Sequence, residues 1–134
     1  MLRNIFLLIT TTLVFAFTTY AQETKPAAKL EFEEVIYAFD EIQQGDKEEH
    51  VFKCTNTGDA PLVLTNIATS CGCTAPEWPR EAIEPGESNE VLITFNSTGK
   101  MGIQNKVITV FSNAENPQVK LKITGNVIPK KSGK

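Results

Sequence analysis

The chain has 134 residues, 13 basic and 16 acidic, for a net charge of −3, and 41% of its residues are hydrophobic. That is enough for one domain with a modest core. So mild an acidic balance gives no footing for nucleic acid or an anionic membrane surface, and three cysteines allow at most one internal disulfide.

Arg3 opens the chain with a positive charge, Ile5 to Phe17 is an uncharged, largely apolar run of 13 residues, and Thr19-Tyr20-Ala21 has small residues at both specificity positions of a signal-peptidase site. This is the pattern of a cleavable secretion signal. A membrane-spanning helix needs about 20 apolar residues, more than this threonine-diluted run supplies. Cleavage after Ala21 leaves 113 residues with 12 basic and 16 acidic groups, destined for the periplasm or the extracellular space. No cysteine follows the cleavage site for lipid attachment, and no later segment could span a membrane. Gln22 to Lys29 is polar, contains Pro26 and reads as a flexible leader before a domain over residues 30–128, with a tail over 129–134.

From Leu30 the apolar residues recur every second position, the signature of half-buried strands. Leu30 and Phe32 alternate with Glu31 and Glu33; His50, Phe52 and Cys54 share one face of the next run. Val91, Ile93 and Phe95 follow, then Ile108 and Val110, then Val119, Leu121 and Ile123 between Lys120 and Lys122. Turn residues punctuate these runs at Gln44-Gly45-Asp46, Asn56 to Asp59, Glu84 to Glu87, Ser97-Thr98-Gly99 and Asn113 to Pro117. No window after the signal holds a 3.6-residue apolar repeat. Short strands with frequent turns predict an all-β, antiparallel sandwich.

Residues 22–90 carry 5 basic and 15 acidic groups, while 91–134 carry 7 basic and 1 acidic. A bipolar binding surface is one reading. The reading favoured here is that the two halves interleave, so that opposite charges meet across neighbouring strands. If the last strand lies beside the first, Lys120 and Lys122 face Glu31 and Glu33.

The motifs Phe52-Lys53-Cys54-Thr55-Asn56-Thr57-Gly58, Pro61 to Leu64, Ser70-Cys71-Gly72-Cys73-Thr74, Pro76, Trp78-Pro79 and Pro85-Gly86-Glu87 resemble a group of secreted bacterial domains. These are Bacteroidetes-type, immunoglobulin-like, single-domain proteins of unassigned function with a Cys-Gly-Cys-Thr element, distantly similar to Hydin-type and major-sperm-protein-like sandwiches. The resemblance spans roughly residues 30–128. It implies an immunoglobulin-like sandwich of about seven strands, a signal peptide and an extracytoplasmic location, and it implies no activity. Cys54 stands where that family usually places a bulky apolar residue, which marks it as a substituted core position.

Cys71 and Cys73 are the residues best suited to chemistry. In an extended strand their Cα atoms lie about 6.6 Å apart on one face, so a disulfide between them requires a bend, which Gly72 permits. Such a bridge would be easily reduced. As thiolates, the same pair suits Cu(I). Packing at a strand end, or an inert bridge, is the plainer account. A zinc site from His50, Cys54, Cys71 and Cys73 fails on geometry, because His50 and Cys54 lie about 13 Å apart on one strand. Cys54 itself reads as a buried thiol. His50 reads as an exposed residue near the start of a strand. Trp78 either stacks on a ligand or caps the end of the core. Asn96-Ser97-Thr98 matches a glycosylation acceptor incidentally, and the acidic run Asp40 to Glu49 lacks the spacing of a calcium loop.

No nucleophile–base–acid set and no phosphate-cradling loop stands out. The sequence therefore points to a non-catalytic exported module of the cell envelope, with no cofactor, that binds an envelope protein or glycan. The alternative is a thiol-based redox or Cu(I)-handling protein centred on Cys71 and Cys73.

Overall fold

The computed structural model describes residues 23–133, so the expected signal peptide over 1–21 lies outside the described residues. Strands β1 (Leu30–Phe32), β2 (Ile36–Gln43), β3 (Lys47–Asn56), β4 (Leu64–Thr69), β5 (Thr74–Glu77), β6 (Ser88–Asn96), β7 (Gly102–Ser112) and β8 (Gln118–Ile128) follow in order. They form two four-stranded sheets, β1-β3-β6-β5 and β2-β8-β7-β4. Among the described residues no helix is long and apolar enough to cross a membrane.

The fold is the expected all-β sandwich, but with eight strands, because the first one divides. Leu30 is buried in one sheet and Phe39 in the other. An even position and an odd one cannot face the same way along one straight strand. The break falls at Glu33–Val35, outside any strand, where the chain changes sheets. Two hydrogen bonds hold it, Glu33 N to Lys53 O at 3.1 Å and Lys122 N to Val35 O at 2.8 Å.

This division corrects the expected pairing of the last strand with the first. β1 pairs antiparallel with β3, whereas β8 pairs with β2, and that pair is parallel. Lys122 therefore lies opposite Ile36, and Glu33 pairs instead with Lys53 at 2.8 Å. On the far edge another sheet change joins β4 to β5 through Ser70–Cys73.

The core lies between the sheets. Phe52, Val91, Ile93 and Phe95 of one sheet meet Ile108, Val110, Leu121 and Ile123 of the other, all 1% exposed or less. Phe39 spans the layers, its ring 5.9 Å from Phe95, and it packs so closely over Gly125 that a Cβ there would overlap the ring.

At one end the buried Asn56 gathers three segments. Its amide donates to Ala60 O at 2.8 Å and Ile83 O at 2.9 Å, and its carbonyl accepts from Gly58 N at 3.0 Å and Lys29 N at 3.3 Å. The leader is tied down before the first strand: Asp59 N donates to Ala27 O and Glu115 N to Ala28 O, both at 2.9 Å. Ala27 and Ala28, within the stretch over 22–29 read as a leader, are thus hydrogen-bonded to the domain.

His50 also departs from expectation. It sits within β3 with its side chain only 19% exposed. β1 covers only Cys54–Asn56 of β3, and Tyr37 of β2 fills the gap below, stacked on His50 at 3.7 Å and 9°. Phe52 meets the other side of the imidazole edge-on at 4.7 Å. The Tyr37 hydroxyl donates to Glu48, and His50 Nε2 pairs with Glu34.

Every sheet edge is blunted. β1 has three residues, β5 has four and contains Pro76, and β2 and β4 each carry a register irregularity. These features deny a long template to another strand.

Two measurements test this architecture. A methyl group on Gly58 would run into the backbone of Ala27, Ala28 and Lys29, whereas one on Gly72 meets open space. Gly58→Ala is expected to lower unfolding stability in urea by about 1–3 kcal/mol, as overpacking does, and Gly72→Ala to change it by less than about 0.5 kcal/mol. Of two tyrosines only Tyr37 lies beyond residue 21, so phenolate absorbance of a chain beginning at residue 22 reports on it alone. Its pKa is pushed up to about 12 by the hydrogen bond to Glu48, then by burial and the Glu48 charge. The folded state holds this proton more tightly than the unfolded chain does. The associated stability is therefore complete below the unfolded value near 10 and is lost as pH rises toward 12. The absorbance midpoint of folded protein should lie well above 10, and Tyr37→Phe should flatten the stability loss in that window.

Candidate functional site

The β4–β5 crossing carries the Cys-Gly-Cys element. Cys71 and Cys73 are joined by a disulfide with their Cα atoms 5.3 Å apart, closer than an extended strand allows. Neighbouring backbone fixes the turn. Thr69 Oγ1 donates to Cys71 O at 2.9 Å, Thr74 N to Cys71 O at 3.4 Å, and Asn96 N to Cys73 O at 2.8 Å. Gly72 is exposed and is not among the glycines with positive φ, and its Cβ position is open. The bend that Gly72 was expected to permit is present, and neither an unusual backbone angle nor crowding demands a glycine here.

Two polar groups address the sulfurs. The Cys73 amide donates to Cys71 Sγ at 3.3 Å. Thr74 is 5% exposed, and its hydroxyl lies 3.8 Å from Cys71 Sγ and 3.9 Å from Cys73 Sγ, with no other hydrogen-bond partner among the described residues. A bridge closing so short a loop restricts the unfolded chain by only about 1.5 kcal/mol, half the value for a 15-residue loop. Stability is a weak reason to have it. While it is closed neither sulfur is a thiolate, and Cu(I) could bind only the reduced pair.

Cys54 belongs to a different part of the molecule. It is fully buried in β3 and donates to Asn89 O at 3.4 Å, and burial pushes its thiol pKa up. It stands opposite Asn89 of β6, while Thr74 stands opposite Phe95. Six residues of strand separate these positions, about 20 Å. The three cysteines cannot act together, nor can Cys54 join Cys71 and Cys73 around a metal. Trp78 packs against the core with the Arg80 guanidinium 3.9 Å over its ring, where a stacking ligand would sit. Its Nε1 is buried without a hydrogen-bond partner among the described residues.

A second feature adjoins the disulfide. On the outer face of β2-β8-β7-β4, Ile36 is opposite Lys122 and Lys122 is opposite Val107. Val107 in turn exchanges hydrogen bonds with Ser70, its O accepting from Ser70 N at 3.0 Å and its N donating to Ser70 Oγ at 3.1 Å. One lateral row thus runs from β2 to the residue preceding Cys71, roughly 14 Å at the spacing of neighbouring strands. Val35, Ile36 and Val107 are 43%, 58% and 37% exposed. With Lys120, Leu121 and Lys122 they line an open groove of about 310 Å³.

Sequence reasoning missed this row. The available signal was Val35-Ile36, two adjacent apolar residues that cannot share one face, placed where the chain passes from the phase of Phe32 to that of Phe39. Thr74 was noticed only as part of a motif, because its burial depends on the crossing.

The charge pattern is also resolved differently from expectation. The halves of the chain do interleave, since β7 and β8 lie between β2 and β4, and β6 lies between β3 and β5. Opposite charges do not meet across them, however. The ion pairs among the described residues, Lys29–Glu31, Lys53–Glu33 and His50–Glu34, all fall within residues 29–53. Alternation instead turns Lys120 and Lys122 outward from one sheet and Glu49, Glu77 and Glu90 outward from the other.

Among solved structures, the chain is similar to a PapD-like domain of human CEP192, with a TM-score of 0.65 and 14% identity over 81% of this chain and 92% of that one. A protein of unknown function from Porphyromonas gingivalis W83 gives a TM-score of 0.62 and 18% identity over 75% of this chain. The YadV chaperone gives 0.57 and 11% over 78%. The matched region spans 46% of the Porphyromonas protein and 54% of YadV. At such identities the likeness shows the sandwich fold and nothing further. No curated protein matches the chain. The DUF1573 family matches residues 30–127, almost the whole sandwich, and the chain belongs to this family of proteins of unknown function.

Proposed function

We propose that the processed chain works outside the cytoplasm as a non-catalytic module of the cell envelope. Its ligand is an extended segment of an envelope protein that combines acidic and apolar residues. The observation that carries this reading is the row Ile36–Lys122–Val107 on the outer face of β2-β8-β7-β4. Apolar side chains held in water at 37–58% exposure lose free energy when a partner covers them, at roughly 25 cal/mol per Å². Lys120 and Lys122 flank them and favour carboxylates. A neutral glycan would leave both ammonium groups without charged partners. The blunted sheet edges argue for docking on the face, because β1 and β5 are short and the register slips in β2 and β4 interrupt backbone pairing.

The test compares capture from an envelope extract by the processed protein and by an Ile36→Asp/Lys122→Glu variant, with Leu92→Asp on the opposite face as control. Partner retention by the double variant should fall at least about tenfold and should weaken with added salt for the native protein. The control should behave as the native protein does. Equal retention by the native protein and the double variant, or retention of a glycan alone, refutes the reading. Recovery of the chain from the cytosol with residues 1–21 still attached refutes its export.

A further inference from the structure

The disulfide turn has a polarity that the binding reading does not use. We propose that Cys71–Cys73 is a thiol–disulfide exchange site at which an incoming thiolate attacks Cys73 Sγ and Cys71 departs as the thiolate. The co-reactant is a dithiol on a partner protein.

The assignment of roles follows from the donors. A departing sulfur gains negative charge and leaves faster when that charge is stabilised. Cys71 Sγ already accepts the Cys73 amide at 3.3 Å, whereas no backbone amide is directed at Cys73 Sγ among the described residues. The Thr74 hydroxyl, buried and without another partner, lies within 3.9 Å of both sulfurs and can donate to the new thiolate. The charge-assisted bonds formed on opening are stronger than the contacts they replace.

Cys71 and Cys73 are both half-buried, with Cys73 packed against the core, so an incoming thiolate must approach past Gly72. Gly72 is exposed, and a side chain at that position would project into open space beside the bridge. The glycine keeps the approach clear, a role its backbone geometry leaves free. Hydrogen bonds to Cys71 O and Cys73 O hold the turn, so the two sulfurs stay together after the bond opens. Cys54, about 20 Å away by register and buried, takes no part.

The electrons balance in two steps. The partner thiolate forms a bond to Cys73 Sγ as the Cys71–Cys73 bond breaks, and the bonding pair leaves on Cys71 Sγ. The partner's second thiolate then attacks its own sulfur in the mixed disulfide, and Cys73 departs with that bonding pair. The partner has been oxidised to a disulfide, and Cys71 and Cys73 have been reduced to a dithiol that takes up the two released protons.

The experiment uses the processed protein and reduced glutathione as the probe thiol. Acid-quenched reactions should carry glutathione on Cys73, located by peptide mass. The reduced protein should alkylate with iodoacetamide faster at Cys71 than at Cys73 at neutral pH. In glutathione redox buffers Thr74→Val should be about three- to tenfold harder to reduce than the native protein, while Thr74→Ser stays within about twofold. A purely structural role for Thr74 would move unfolding stability without separating Val from Ser in this way. Glutathione found on Cys71, faster alkylation at Cys73, or a bridge that millimolar glutathione leaves closed overturns the assignment. The alkylation and glutathione mapping need only the native sequence, so they decide even if Thr74→Val does not fold. Loss of the envelope partner in Ile36→Asp/Lys122→Glu with exchange intact would separate the two proposals.

Discussion

A backbone that leaves one sheet for another must find new partners for its amides and carbonyls, because a buried polar group left alone costs as much as a lost hydrogen bond. This chain makes that change five times, and two of the passages join edge strands on the same side of the sandwich, at Glu33–Val35 and at Ser70–Cys73. Both passages are settled locally. Lys53 O and Lys122 N serve the first, and Val107, Thr69 and Asn96 serve the second. Each sheet thereby receives its fourth strand, and the two inner faces close over Phe52, Phe95, Ile108 and Leu121.

The same passages create the chemistry of the surface. The first cannot keep every apolar side chain inward while the alternation changes phase, and Val35 and Ile36 are left outside. The second brings two sulfurs within bonding reach and buries Thr74 beneath them. Val107 and Ser70 connect the two features along a single row of the sheet. A segment lying on that row would reach the sulfurs at its end, although the groove and the bridge answer to different physical forces and can be separated by mutation.

Much of this architecture was legible in the sequence. β3, β6, β7 and β8 alternate without interruption, and Phe52, Ile93, Val110 and Leu121 are buried as their phase requires. The elements that escaped are those in which the phase slips. β2 breaks register between Ala38 and Glu41, and β4 between Leu64 and Asn66, so neither shows a clean period of two. β5 is too short to show one. The parallel pairing of β2 with β8 was hidden for a different reason, since alternation reveals a face and says nothing of direction. Cys71 and Cys73 were visible by spacing alone. The donors around them were not, because the Cys73 amide and the Thr74 hydroxyl acquire their roles only once the turn is folded.

The shortened and interrupted margins of both sheets bear on how the protein tolerates company. With three residues in β1, a proline in β5 and slips in β2 and β4, copies crowded together find little to zip onto. Stacking of copies into one continuous sheet is correspondingly disfavoured.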